Sequence, residues 1–198
     1  MNAKTLGATA GVAALIALAT AVPATAGSSA AVSLDKMIPA LAAPQTDADH
    51  VPADVDLSGL GGVDEATVRS LGSDEAAHYW IGRAGTSEVC LIMQLMADSE
   101  VAASTCTELA HFYRAGMSLL AGKGAQEPES TAEAYLIPAD VVVPTESAAS
   151  RAAGAQGASA SPQFISGRPD QLRDLEQFEV RRDDGSIFRF TPLSAADA

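Results

Sequence analysis

Apolar and polar positions alternate most clearly between residues 76 and 106, where two polar turns separate three runs rich in strand-forming residues. These runs predict strands at residues 76–82, 88–96 and 100–106. The middle run is apolar at both sets of alternating positions, which is typical of a strand that is covered on both faces. We therefore expect a small antiparallel sheet with residues 88–96 at its centre.

The predicted turn between the second and third strands brings the only two cysteines together. If residues 97–99 form a three-residue loop, Met96 faces Glu100 and Cys90 faces Cys106. Directly opposed residues lie about 4.5–5.5 Å apart at Cα, within reach of a disulfide. A register shift of one residue would separate the two cysteines. Free thiols or a pair of metal ligands are the alternatives to this bond.

Two short helices are predicted around these strands. One covers residues 63–71, with Asp64 as its N-cap and Gly72 at its end. The other follows a capping box formed by Thr105 and Glu108, and it ends at Gly116. The apolar stripe of this second helix consists of Leu109, Phe112 and Tyr113.

The remaining apolar runs predict further strands at residues 117–121 and 133–138. Near the carboxyl end, residues 175–182 and 186–190 flank Asp183, Asp184 and Gly185, which is a good β-hairpin signal. The predicted fold class is therefore α+β: a small antiparallel sheet, one or two short helices, one disulfide and a C-terminal β-hairpin.

Composition divides the chain into five segments. They are a signal peptide at residues 1–26, an acidic low-structure leader at 27–62, an α+β core domain at 63–143, a linker rich in Ala, Ser and Gly at 144–162, and a C-terminal hairpin region at 163–198. We expect a disordered leader and linker, apart from a short helical piece near residues 34–41. An isolated hairpin is marginal in water, so we expect the tail to dock on the core. The alternative is a tail that stays loose until it binds a separate partner.

The first 26 residues have the features of a secretory signal. Lys4 precedes an apolar stretch at residues 11–22, and Ala24-Thr25-Ala26 fits a cleavage site with Gly27 as the mature start. An uncleaved anchor is the alternative, although the apolar stretch is short for a membrane span. We therefore expect a secreted protein, with association with the cell envelope as a further possibility. Export would also favour an oxidised cysteine pair.

Four short motifs resemble a group of uncharacterised exported proteins from high-GC Gram-positive bacteria. The motifs are Tyr79-Trp80-Ile81-Gly82-Arg83, Val89-Cys90-Leu91-Ile92, Ala103-Ser104-Thr105-Cys106 and Ala134-Tyr135-Leu136-Ile137-Pro138-Ala139-Asp140-Val141. The resemblance covers roughly residues 63–142. It implies a small exported α+β domain that contains a disulfide, and it carries no known activity or functional residue.

The charge of the chain restricts its partners. A formal net charge of −13 and a pI near 4.4 argue against nucleic acids and anionic membrane surfaces. We expect no nucleic-acid partner, and membrane contact only through an uncleaved signal segment. The remaining partner would be an unidentified component of the envelope or the extracellular space.

The sequence predicts no catalytic, metal-binding or cofactor-binding residue. His50, His78 and His111 are scattered, and no G-x-S-x-G elbow is present. Residues 54–59 with Glu65 match several positions of a calcium loop, but Gly61 stands where an apolar residue is required. An acidic leader is the simpler interpretation of this segment.

Two further groups of residues have competing interpretations. Tyr79 and Trp80 point to opposite faces of their strand, so both could be core residues; alternatively, one could form a recognition surface beside Arg83. The charged residues around the tail hairpin are expected to form a solvated face. They are Arg173, Asp174, Glu176, Arg181 and Arg182.

Two functional hypotheses follow. The first is a non-enzymatic interaction or structural module that is secreted to the cell envelope or beyond. The second is a secreted enzyme or enzyme inhibitor whose site is built by loops. A deep pocket that holds His78 or His111 beside a carboxylate would favour the enzyme, and a flat or convex surface would favour the module.

Overall fold

The computed structural model describes residues 33–123, 127–143 and 164–193. The predicted signal peptide at residues 1–26 and the predicted linker at 144–162 lie outside the described residues. The α+β class, the disulfide and the C-terminal hairpin are confirmed. None of the described helices is both long and apolar enough to cross a membrane.

The first sheet has four antiparallel strands in sequence order. They are β1 Asp64–Ser73, β2 Ala77–Ala84, β3 Glu88–Leu95 and β4 Ala102–Glu108. Seven of the eight residues of β3 are buried, so the prediction of a central strand covered on both faces is confirmed.

The second sheet has three antiparallel strands with β6 in the middle. They are β5 Met117–Gly122, β6 Thr131–Leu136 and β7 Phe164–Gly167. The sequence predicts β5 and β6 but not β7, which adds a third strand beyond the linker. Side chains of both sheets form one apolar cluster, which includes Tyr79, Ile81, Leu91 and Met93 from the first sheet and Leu119, Ala134, Leu136 and Phe164 from the second.

The helix predicted for residues 63–71 is wrong, because this segment is strand β1. Asp64 does accept a local hydrogen bond, but it comes from Ala66 N at 3.1 Å and shapes an irregular strand entry. The pairing with β2 shifts register between Asp64 and Arg69. Val68 is fully buried beneath the leader. Pairing and burial thus outweigh the local helix signal.

Helix α2, Leu109–Ala115, ends at Gly116 as predicted, where the backbone has a φ of 67°. The predicted capping box is wrong, because Thr105 and Glu108 both belong to β4. The helix instead begins where Leu109 N donates to the Ser87 carbonyl at 2.9 Å. Phe112, from the predicted apolar stripe, is fully buried.

The leader contains the predicted short helical piece. Helix α1 covers Leu34–Met37, and 3-10 turns follow at Pro39–Ala42 and Asp47–Asp49. The sequence did not predict that this segment packs against the first sheet. Met37 and Ile38 are 4% and 2% exposed. Ser70 N of β1 donates to Asp49 Oδ1 at 2.7 Å, which fastens the leader to the edge strand.

The tail forms a third layer on the outer face of the second sheet. It contains α3 Pro169–Leu172 and the hairpin strands β8 Phe178–Arg181 and β9 Ile187–Phe190. Phe178 pairs with Phe190 across the hairpin, and Gly185 supplies the turn with a φ of 82°. Phe188 shares an apolar cluster with Tyr135 and Ile137.

The substitution Phe188→Ala should lower the free energy of unfolding by about 3–5 kcal/mol, because this side chain is fully buried between the hairpin and the second sheet. Ile187→Ala is the matched control, because Ile187 is the neighbouring residue of the same strand and its side chain is 39% exposed. Urea denaturation measures both changes. Equal effects of the two substitutions would show that the hairpin is not packed on the sheet.

Candidate functional site

The disulfide lies where the register predicts it. Cys90 pairs directly with Cys106 across β3 and β4, their Cα atoms are 4.0 Å apart, and their sulfurs are bonded. The loop is longer than the predicted three residues, because β3 ends at Leu95 and β4 begins at Ala102. The predicted pair of Met96 and Glu100 therefore lies outside the strands.

Both aromatic residues of the possible recognition surface are core residues. Tyr79 is fully buried between the two sheets, and Trp80 is 5% exposed on the opposite face of the first sheet. Arg83 is half-buried, and its Nη2 donates to the Thr86 carbonyl at 3.1 Å, which holds it on the β2–β3 turn. The recognition alternative is therefore corrected: packing removes both rings from the surface.

Asp74 forms a polar cluster that joins the first sheet to β7 of the second sheet. Its Oδ1 accepts hydrogen bonds from Ala76 N at 2.7 Å and Ala77 N at 3.0 Å. Its Oδ2 accepts from the Tyr79 hydroxyl at 2.9 Å and the Ser166 hydroxyl at 2.7 Å. Burial, together with this carboxylate, raises the pKa of Tyr79, so the hydroxyl remains a donor. The cluster fixes β7 to the β1–β2 loop.

The predicted solvated charged face around the hairpin is confirmed for Arg173, Asp174, Glu176 and Arg181, which are exposed, and is wrong for Arg182, which is buried. Its side chain is 3% exposed, and Nε donates to Asp140 Oδ2 at 2.6 Å. Its Cζ lies 3.7 Å from the ring centre of Tyr113, an arrangement typical of a cation–π interaction. The Tyr113 hydroxyl in turn donates to Asp184 Oδ2 at 2.7 Å. The sequence missed this group because its members are far apart along the chain.

The Arg182 cluster consists of Arg182, Asp140, Tyr113 and Asp184. We call it a clasp, because it holds separate chain segments together and is not suited to proton transfer. A guanidinium stays protonated at any physiological pH, so it cannot exchange protons as a general acid or base. Its charge is balanced by Asp140, and one face of the planar guanidinium is covered by the Tyr113 ring. The contacts join α2, the segment after β6 and the hairpin. They orient the tail on the core.

Glu133 and Tyr135 form a second buried polar pair on β6. The Tyr135 hydroxyl donates to Glu133 Oε1 and accepts from Leu193 N at 2.7 Å. Burial raises the pKa of Glu133, and the hydrogen bond from Tyr135 offsets part of this effect. None of the ion pairs among the described residues includes Glu133. This carboxyl therefore favours its neutral form more than an exposed glutamate does.

The residues considered for metal binding do not converge. His50 and His111 are exposed, and the His78 ring lies beside Trp80, with ring centres 5.9 Å apart. In the calcium-like segment, Asp56 Oδ1 instead accepts from Ser58 N at 3.0 Å and from the Ser58 hydroxyl at 2.6 Å. Within residues 33–123, 127–143 and 164–193, no group of three or more potential ligands is placed to hold a metal ion.

A shallow depression of about 210 Å³ lies at the open end of the tail hairpin. Three consecutive residues at the start of β8 and three at the end of β9 line it. They are Gln177, Phe178 and Glu179, and Arg189, Phe190 and Thr191. Glu179 and Arg189 form an exposed ion pair across it, at 2.5 Å. The lining holds no histidine, cysteine or serine that could act as a base or nucleophile.

No family model, curated protein or solved structure matches this chain. The geometry of the described residues is therefore the basis for assigning a function.

The substitution Arg182→Ala should lower the free energy of unfolding by about 3 kcal/mol, because it leaves Asp140 without its partner and removes the contact with Tyr113. Arg189→Ala, which breaks the exposed pair with Glu179, should cost less than about 1 kcal/mol. Thermal or urea unfolding of both variants tests the difference. If both substitutions lowered the free energy of unfolding by the same amount, the contacts of Arg182 would not be what holds the hairpin on the core.

The substitution Glu133→Gln should stabilise the protein at neutral pH. Because folding raises the pKa of Glu133 above its ordinary value of 4.5, its favourable contribution is complete below that pH and is lost as the pH rises through the folded-state pKa. The advantage of the variant should therefore grow as the pH rises above about 4.5 and level off once the pH exceeds the folded-state pKa. Urea denaturation across pH 4–8 measures it. The exposed Glu65→Gln controls for the loss of one negative charge. A stability difference that does not change with pH would contradict the expectation.

Proposed function

We propose that this protein is an exported, non-enzymatic interaction module of the cell envelope or the extracellular space. The observation that carries the proposal is the use of its buried polar side chains. Six such residues lie in the described part of the chain, and each makes a hydrogen bond within the protein: Asp49, Gln94, Thr131, Glu133, Ser166 and Arg182.

Three of these residues, Asp49, Ser166 and Arg182, form hydrogen bonds that hold one chain segment to another. Asp49 fastens the leader to β1, the Asp74 cluster fastens β7, and Arg182 fastens the hairpin. A catalytic site instead presents such groups to a substrate at the edge of a cleft. A rigid scaffold in which the leader, β7 and the hairpin are each fastened suits a protein whose role is to present a surface.

The positions of the histidines favour the module over the enzyme. His111 is exposed on α2, and the His78 ring lies tilted beside Trp80. The depression at the hairpin contains neither of them, and its two charges neutralise each other. Glu179, the one carboxylate of its lining, is paired with Arg189 and is not held beside a nucleophile, which is the arrangement that covalent catalysis uses.

Export is part of the proposal. The signal-like residues 1–26 and the resemblance to exported proteins support it. The bonded cysteine pair supports it as well, since disulfides persist mainly in oxidising compartments.

The proposal is tested with protein recovered from the culture medium of a producing cell. We expect an amino terminus at Gly27 and saturable binding of this mature protein to isolated cell-wall material or to a secreted protein. The binding should be lost on reduction and unfolding. An intact Met1 terminus would contradict export.

Substrate turnover is the outcome that would overturn the non-enzymatic assignment. The native mature protein is incubated with envelope polysaccharides, peptides and esters, with the heat-unfolded protein as control. Release of product by the native protein alone would identify an enzyme. Binding without turnover would support the module.

A further inference from the structure

The end of the leader lies directly over the disulfide. We refer to residues 57–62 as the covering segment. Cys90 is fully buried, whereas Cys106 is half-buried and faces this segment. A Cβ atom added to Gly61 would lie only 2.7 Å from Cys106 Sγ. Because Gly61 has no side chain, its backbone packs directly against this sulfur, at a distance that leaves no room for a Cβ atom.

The covering segment is fastened at several points. Leu57 and Leu60 pack against the cluster that contains Trp80 and Ile92. The Ser104 hydroxyl of β4 donates to the Leu60 carbonyl at 2.9 Å. Gly61 and Gly62 adopt φ values of 91° and 68°, which let the chain turn at the sulfur and continue into β1.

The end of the segment is also closely packed. A Cβ atom added to Gly82 on β2 would lie 2.5 Å from Val63 Cγ1, so the residue that follows the segment sits directly on the sheet. Two glycines on two different chain segments thus allow the leader to approach the sheet more closely than side chains would permit.

We propose that the covering segment is a gate over the Cys90–Cys106 bond, so that an external thiol reaches the bond only after the segment has lifted from the sheet. Thiol exchange requires in-line access of a thiolate to one sulfur. Cys106 is the less buried of the two cysteines, and the Gly61 backbone lies over its sulfur.

The exchange itself consumes one dithiol reductant. Its thiolate attacks Cys106 Sγ, the bond to Cys90 breaks, and Cys90 leaves as a thiolate that takes up a proton. The second thiol of the reductant then displaces Cys106 from the mixed disulfide. The protein gains two electrons and two protons, and the dithiol becomes a cyclic disulfide.

Lifting the segment would also expose the apolar face beneath it. Trp80 lies on this face and is the single tryptophan of the chain. Its fluorescence therefore reports the gate independently of the thiols.

The test compares Gly61→Ala with Gly62→Ala in the mature, oxidised protein. Both positions have a positive φ, so both substitutions strain the backbone, but a Cβ at Gly62 would meet nothing within 4 Å. Dithiothreitol is added, free thiols are alkylated at intervals, and intact mass gives the reduced fraction. We expect Gly61→Ala to be reduced about five- to a hundredfold faster than Gly62→Ala.

Two further measurements keep the inference testable if Gly61→Ala folds poorly. Ser104→Ala removes the hydrogen bond to Leu60 and should speed reduction about three- to tenfold. Acrylamide should quench Trp80 more strongly in each fast variant before any reductant is added. Equal reduction rates in the two glycine variants, or a wild-type rate equal to that of the urea-unfolded chain, would overturn the gate.

Discussion

The structure depends on strand β3, because both of its faces are apolar and both must be covered by other parts of the chain. Strand β3 carries apolar side chains on both faces, and exposing apolar area costs about 25 cal/mol per Å². The second sheet covers one face, where Leu91 and Met93 lie. The covering layer on the other face, over Ile92, comes from the leader. A proline-rich acidic segment is therefore packed because the sheet requires a cover, although its own composition does not favour structure.

The parts of the fold that the sequence predicts are those set by neighbours along the chain. Alternation defines β2, β3 and β4, and the register of one hairpin places Cys90 opposite Cys106. Gly116 ends α2 because of its own backbone freedom, and the turn at Gly185 defines the tail hairpin. In each case the signal and the structure lie within 16 residues of each other, as local propensity requires.

The parts that could not be predicted depend on partners that are distant along the chain. Strand β7 has only four residues, and Ser166 meets Asp74 across 92 positions. Arg182 meets Asp140 across 42 positions, so its neighbours in sequence, which are exposed as predicted, do not indicate that Arg182 itself is buried. The N-cap signal of Asp64 is real as a local hydrogen bond, but sheet pairing decides the conformation of the segment. No candidate site could be assembled from the sequence because its contacts join separate layers.

The buried polar contacts fix the orientation of the hairpin, which its apolar packing alone would not determine. Apolar contacts between Phe188, Phe190 and Tyr135 have little directional preference, so the hairpin could slide on the second sheet with a small loss of burial. The bond from Arg182 Nε to Asp140, with Tyr113 against the guanidinium, is satisfied in a single orientation. Burying this charge has a desolvation cost, which is justified physically when one arrangement of the surface has to be selected over its neighbours. The proposed interaction module would have this requirement, because each alternative orientation of the hairpin would present a different surface.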